Sequence, residues 1–227
     1  MKILTVKKSI FILFAIIIAI GAVCGFFSSA AAANAKGRFT VVIDAGHGGI
    51  DAGVLGVESK VKESDINLKI ARYLQEYFSE AGFLAVLTRK TEGGLYGIPT
   101  KGFKMRDMKA RKKIIEESNA NMVISIHQNA CPLKSRRGGQ AFYDKSSQSG
   151  KALAESVQKA LNGMDECVKI GSALVGDYYM LKCTSAPSVL VECGFLSNEQ
   201  DEKLLNSNEY KRAIAYAIFK GAIAFLT

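Results

Sequence analysis

The chain has 227 residues, 48% hydrophobic and 22% charged with only three prolines, which excludes a disordered chain and a collagen-like or proline-rich stalk. This length accommodates one domain with an appendage. Thirty Lys+Arg against 21 Asp+Glu give a net charge of +9, which suits an anionic partner such as nucleic acid, anionic lipid or an anionic wall polymer.

The N-terminus narrows that choice. Met1–Lys8 holds three lysines and no acid, Ile10–Phe27 is uncharged, and a small-residue stretch follows in which Ala33-Asn34-Ala35 has the form of a cleavage site. A positive, then apolar, then small-residue order predicts that residues 1–35 are a signal peptide or an N-terminal membrane anchor. Residues 36–227 then work outside the cytoplasm, either secreted or anchored. Nucleic acid is thereby excluded as a partner, and membrane contact is confined to the leader. Cys24 lies within the apolar run, and Val23 before it is not the small residue that lipidation favours. Of the later cysteines, Cys131, Cys167, Cys183 and Cys193 form no C-x-x-C pair, so neither a disulfide framework nor a cysteine zinc cage is expected.

Beyond the leader, short β-rich runs alternate with helical patterns. Phe39–Asp44 reads as a strand that turns through AGHGG. Between Glu63 and Ala81 the apolar residues Ile66, Ile70, Leu74, Tyr77 and Phe78 have helical spacing, and Gly82 ends the helix. Phe83–Thr88 is a second strand, Lys90–Lys104 a glycine-rich surface loop, and Met105–Ser118 a basic helix. Met122–His127 and a run from Gln140 to Asp144 are strands, and Lys151–Leu161 is a helix. Ser188–Glu192 is an apolar strand, and Glu209–Leu226 a closing helix. This alternation predicts a single α/β domain: a mixed, mostly parallel sheet flanked by helices on both faces.

Both histidines of the chain fall at predicted strand ends, His47 in DAGHGG and His127 at the close of MVISIH. Neutral imidazoles suit zinc, and such a site wants a third protein ligand and a position open to water. By position, Asp51, Glu58, Glu63 and Asp65 are all candidates for that ligand. Glu63 begins the first long helix, where an acid also simply favours the helix dipole. Glu192 ends a strand of Val, Leu and Val; a carboxylate there is either ion-paired or a general base or acid with a raised pKa. Cys193 points to the other side of that strand.

DAGHGGIDAG, KESDIN, LTR at Leu87–Arg89, ISIHQNA and VECGFLSNEQDEKLL together resemble the zinc-dependent N-acetylmuramoyl-L-alanine amidases, in order and spacing, from about Phe39 to Leu226. The resemblance implies an α/β domain with one zinc ion per chain. It implies hydrolysis of the peptidoglycan amide between N-acetylmuramic acid and the L-alanine of the stem peptide. Carried over by position, the zinc ligands are His47, Glu63 and His127, and the catalytic carboxylate is Glu192. Asn129, Arg89 and Arg111 are candidate substrate contacts. The family pattern has proline where Ala52 stands and asparagine near Glu116.

A short form with a leader and one catalytic domain most resembles the spore-cortex, germination-specific amidases, whose product allows muramic-δ-lactam to form. The alternatives are a general cell-wall autolysin and a non-catalytic wall-binding scaffold of the same fold. With no wall-binding repeats in the sequence, recruitment is expected through an extracytoplasmic accessory protein or through the leader as a tether.

Overall fold

The computed structural model describes residues 38–167 and 170–227. The predicted leader, and with it the division at residue 35, lies outside the described residues. Phe39–Thr227 forms one compact unit. In chain order its elements are β1 (Thr40–Ala45), α1 (Glu63–Glu80), β2 (Leu84–Leu87), α2 (Phe103–Glu117), β3 (Met122–Asn129) and β4 (Gln140–Tyr143). After these come α3 (Gln148–Asn162), β5 (Leu174–Val175), a 3-10 turn (Tyr179–Lys182), β6 (Ser188–Phe195), α4 (Glu199–Asn206) and α5 (Asn208–Leu226).

The six strands run β2-β1-β3-β6-β4-β5. All neighbours are parallel except β4 against β6. This is the expected mixed, mostly parallel α/β sheet. β1, β3 and β6 are its centre, and their near-continuous apolar runs follow from burial on both faces.

Alternation along each strand sorts side chains between two layers. One face carries Val41, Ile43, Ile124, Ile126, Val189, Val191 and Cys193. Against it pack Ile66, Ile70, Leu74 and Phe78 of α1, Leu153 and Val157 of α3, and Ile214 and Ile218 of α5. Most of these are fully buried, and each contributes roughly 1.5–3 kcal/mol. The opposite face is thinner. There Val42 and Val123 meet Ile115 of α2 and Met180 and Cys183 near the 3-10 turn. The residues alternating with the main core, Asp44, Ser125, His127 and Glu192, project toward this second face, so the polar chemistry collects on the side with less cover.

Several elements differ from the sequence expectation. β6 continues to Phe195 rather than stopping at Glu192. α4 stands apart from α5 because the backbone of Ser207 is extended (φ −72°, ψ 135°); its hydroxyl accepts from Tyr210 N to start α5. β5 and the 3-10 turn were not expected either, being too short to show a period.

Candidate metal centre

β1 delivers Asp44 and Ala45 to the carboxyl edge of the sheet, and the chain then passes through Gly46 to His47. Gly46 must lack a side chain, because a Cβ there would lie 2.3 Å from the His127 ring. His47 occupies the left-handed region at φ 62°, an uncommon conformation for a residue other than glycine and one that persists only when its surroundings enforce it. The enforcement is visible. Arg111 donates through Nη2 to the His47 carbonyl at 2.6 Å and through Nη1 to that of Ala45 at 2.6 Å. Arg89 donates to the carbonyls of Ala45 (2.8 Å), Gly46 (3.1 Å) and Ser64 (2.6 Å).

Glu63 opens α1 and is almost fully buried. Its Oε1 faces His127 Nδ1 at 2.9 Å and His47 Nε2 at 3.3 Å. The same oxygen accepts from Gln128 N (3.1 Å) and Asn67 Nδ2 (3.2 Å), while Oε2 accepts from Val54 N at 2.8 Å. Asn67, one helical turn on, also donates to the Gly46 carbonyl, and Gln128 Nε2 donates to Asn67 Oδ1. Burial alone would raise the Glu63 carboxyl; hydrogen bonds and charge from His127 and His47 instead hold it well below the usual carboxylate range. For His47, burial would lower the pKa, but Glu63 and then Asp51 raise it to about 9.

One ligand atom each from His47, Glu63 and His127 lies within 4.8 Å of the others, and among the described residues this is the one such group of His, Cys, Asp or Glu. Two imidazoles and one carboxylate form the donor set of an open catalytic zinc site. Both ring nitrogens that face Glu63 Oε1 converge on the same point as that oxygen, so the three residues fit a dication once the histidines are neutral.

Glu192 sits on β6 directly beside His127 of β3 in the parallel register. It is 7% exposed, and its Oε2 is a buried acceptor with no hydrogen-bond partner. Burial, reinforced by the charge of Glu63 and opposed by His127 and His47, raises its pKa to about 7. Such a carboxyl can take up or release a proton near neutrality.

The structure separates the remaining candidates. Glu58 and Asp65 are exposed and Asp51 lies on the far nitrogen of His47, so Glu63 alone of the four acids faces both histidines. Asn129 is half-buried at the end of β3. Arg89 and Arg111, the candidate substrate contacts, lie inside the fold. They are 2% and 1% exposed, and their donors are turned onto backbone carbonyls and, for Arg111, onto Asp44 (2.7 Å) and Asp107 (2.5 Å). Both guanidinium groups brace the turn that carries His47. Cys193 is buried on the opposite side of β6, as expected. Asn67, whose place four residues after Glu63 follows the family pattern, and Gln128, directly after His127, are the supports of Glu63; their hydrogen bonds to it show only in the fold.

The family of N-acetylmuramoyl-L-alanine amidases matches residues 41–224. The germination-specific N-acetylmuramoyl-L-alanine amidase of Bacillus subtilis is 33% identical over 190 residues, 82% of this chain and 79% of the relative. A probable N-acetylmuramoyl-L-alanine amidase, AmiB, of Haemophilus influenzae is 29% identical over 88% of this chain, which spans only 55% of that longer relative. Among solved structures, the CwlD amidase of Clostridioides difficile in complex with the GerS lipoprotein superposes with a TM-score of 0.80 at 40% identity, covering 83% of this chain and 98% of that one.

Proposed function

This chain belongs to the N-acetylmuramoyl-L-alanine amidase family, and on that premise we propose that it is a zinc-dependent peptidoglycan amidase acting on spore cortex. The observation that carries the reading is the convergence of His47, Glu63 and His127 within 4.8 Å, beside a buried carboxyl with a free oxygen at Glu192.

In this reading His47, Glu63 and His127 hold one zinc ion. When bound, zinc supplies Lewis acidity, activating water at neutral pH and stabilising charge on an attacked carbonyl oxygen. Glu63 brings a full negative charge because its pKa is held low, and Asn67 and Gln128 fix its orientation. Glu192 is the proton carrier. Its unpartnered Oε2 accepts a proton from the attacking water, and the same carboxyl returns it to the departing amine of L-alanine.

Similarity to a germination-specific amidase and to the CwlD amidase supports the cortex assignment. The structure of the latter with a lipoprotein supports an accessory protein as partner here. Residues 1–35 are proposed to export the enzyme, with residues 36–227 as the catalytic domain. The experiment is mass spectrometry of purified peptidoglycan digested by the zinc-loaded protein. Stem peptides should be released with L-alanine at their amino end, leaving unsubstituted muramic acid; cleavage within glycan or stem, or no cleavage, overturns the reading.

A further inference from the structure

The second aspartate of DAGHGGIDAG has no part in the chemistry above, yet the chain turns sharply to bring it back. Gly48 N donates to Asp51 O at 2.9 Å and Asp51 N to Gly48 O at 3.1 Å, closing a tight reversal. The reversal is pinned from outside. Tyr96 Oη accepts from Ile50 N at 2.8 Å, and Gly49 N donates to Glu92 O at 2.7 Å. A Cβ on Gly49 would come within 2.0 Å of Tyr96 Oη, so only glycine permits this approach.

The result is that Asp51 Oδ2 lies 2.9 Å from His47 Nδ1, while the other ring nitrogen, Nε2, faces Glu63. Asp51 Oδ1 is in turn 3.2 Å from Lys104 Nζ, at the start of α2. We propose that Asp51 is the positioning residue of the metal centre: it accepts the Nδ1 proton of His47, fixing the tautomer and ring angle that present the Nε2 lone pair to the metal, with Lys104 steadying its second oxygen. A carboxylate behind a ligating imidazole also makes that imidazole a stronger donor, and loss of such a partner lowers metal affinity 10–100-fold. Lys104 is two-thirds exposed, so its own share is small.

The inference rests on the zinc reading above, and one measurement separates their failures. Zinc dissociation constants are determined by chelator competition for the full-length chain and for Asp51→Ala and Lys104→Ala. Cobalt(II) serves as a spectroscopic probe of ligand geometry, and the melting of each metal-free protein is followed in parallel. Asp51→Ala should bind zinc 10–100-fold more weakly and alter the intensity of the visible cobalt spectrum. Lys104→Ala should change affinity less than about threefold. A purely structural role would lower the melting temperature and leave both metal readouts unchanged. If Asp51→Ala binds zinc as tightly as the parent, the positioning role is wrong; if the parent itself binds no zinc, the metal reading fails first. Should Asp51→Ala not fold, Asp51→Leu, which fills the space without an acceptor, decides by the same titration: weaker binding supports the role, and parental affinity overturns it.

Discussion

Glu192 and Glu63 are both glutamates, both buried and within reach of the same two histidines, yet their carboxyls are driven in opposite directions. Five hydrogen-bonding groups surround Glu63, whereas Glu192 has an oxygen with none. Solvation by the protein, not burial itself, decides the difference. Replacing Glu192 by glutamine removes the proton carrier and keeps the shape. Turnover should fall by roughly 10²-fold or more with zinc content unchanged. The sign of the pH effect follows from the base role: the carboxylate is the active form, so kcat/KM of the parent rises with pH as Glu192 ionises. Its pKa of about 7 describes the metal-free site, and a nearby dication shifts ionisation lower. The acid limb therefore has its midpoint at or below 7 and disappears in Glu192→Gln. A glutamine variant that keeps both the rate and the limb would assign the base elsewhere.

At the scale of elements, the longer strands and α2 were legible as elements, but the charges that α2 buries were not. β1, β3 and β6 announce themselves as Val/Ile/Leu runs because parallel strands covered on both faces need nothing else. The histidines could be located because strand ends in α/β sheets collect function. α2 was different. Its inward residues, Asp107, Arg111 and Ile115, follow the spacing of a buried stripe, but two of the three are charged, so apolar periodicity does not mark the stripe. The missing information was Asp44, 67 residues earlier, whose charge meets Arg111 only in the folded chain. Burial would raise the Asp44 carboxyl, yet Arg111 and Ser125 hold it down at about 2. A buried ion pair of this kind is costly to break from one side. Arg111→Met should destabilise the fold by roughly 3–5 kcal/mol, leaving Asp44 charged with only neutral hydroxyl donors, those of Ser125 and Thr88. Thermal denaturation of the metal-free protein measures this. A loss below about 1 kcal/mol would mean that water or a neighbouring group already satisfies Asp44.

For the whole molecule, the metal centre is a point where three distant parts of the chain meet. His47 follows β1, Glu63 begins α1 and His127 lies in β3, so a bound ion links segments up to 80 residues apart in sequence. An ion that binds the folded chain and not the unfolded one stabilises it by mass action, by about 4 kcal/mol when its free concentration is a thousand times the dissociation constant. For a unit of this size each kcal/mol raises the melting temperature by roughly 2–4 °C. Zinc should therefore raise the melting temperature by roughly 8–16 °C over the chelator-treated protein. The increment depends on pH with a definite sign. In the metal-free fold His47 has its pKa raised from 6.5 to about 9, so its charged contacts with Glu63 and Asp51 stabilise that state fully below about 6.5 and lose their effect as pH rises through 9. Zinc requires the neutral ring, so it must displace that proton. The difference between zinc-loaded and metal-free melting temperatures should accordingly widen from pH 6 to pH 9. Calorimetry at pH 7.5 in buffers of different ionisation enthalpy should count about one proton released per zinc bound. A zinc increment that is flat across this range, with no proton released, would show that the ion does not take the nitrogen that Glu63 faces in the metal-free protein.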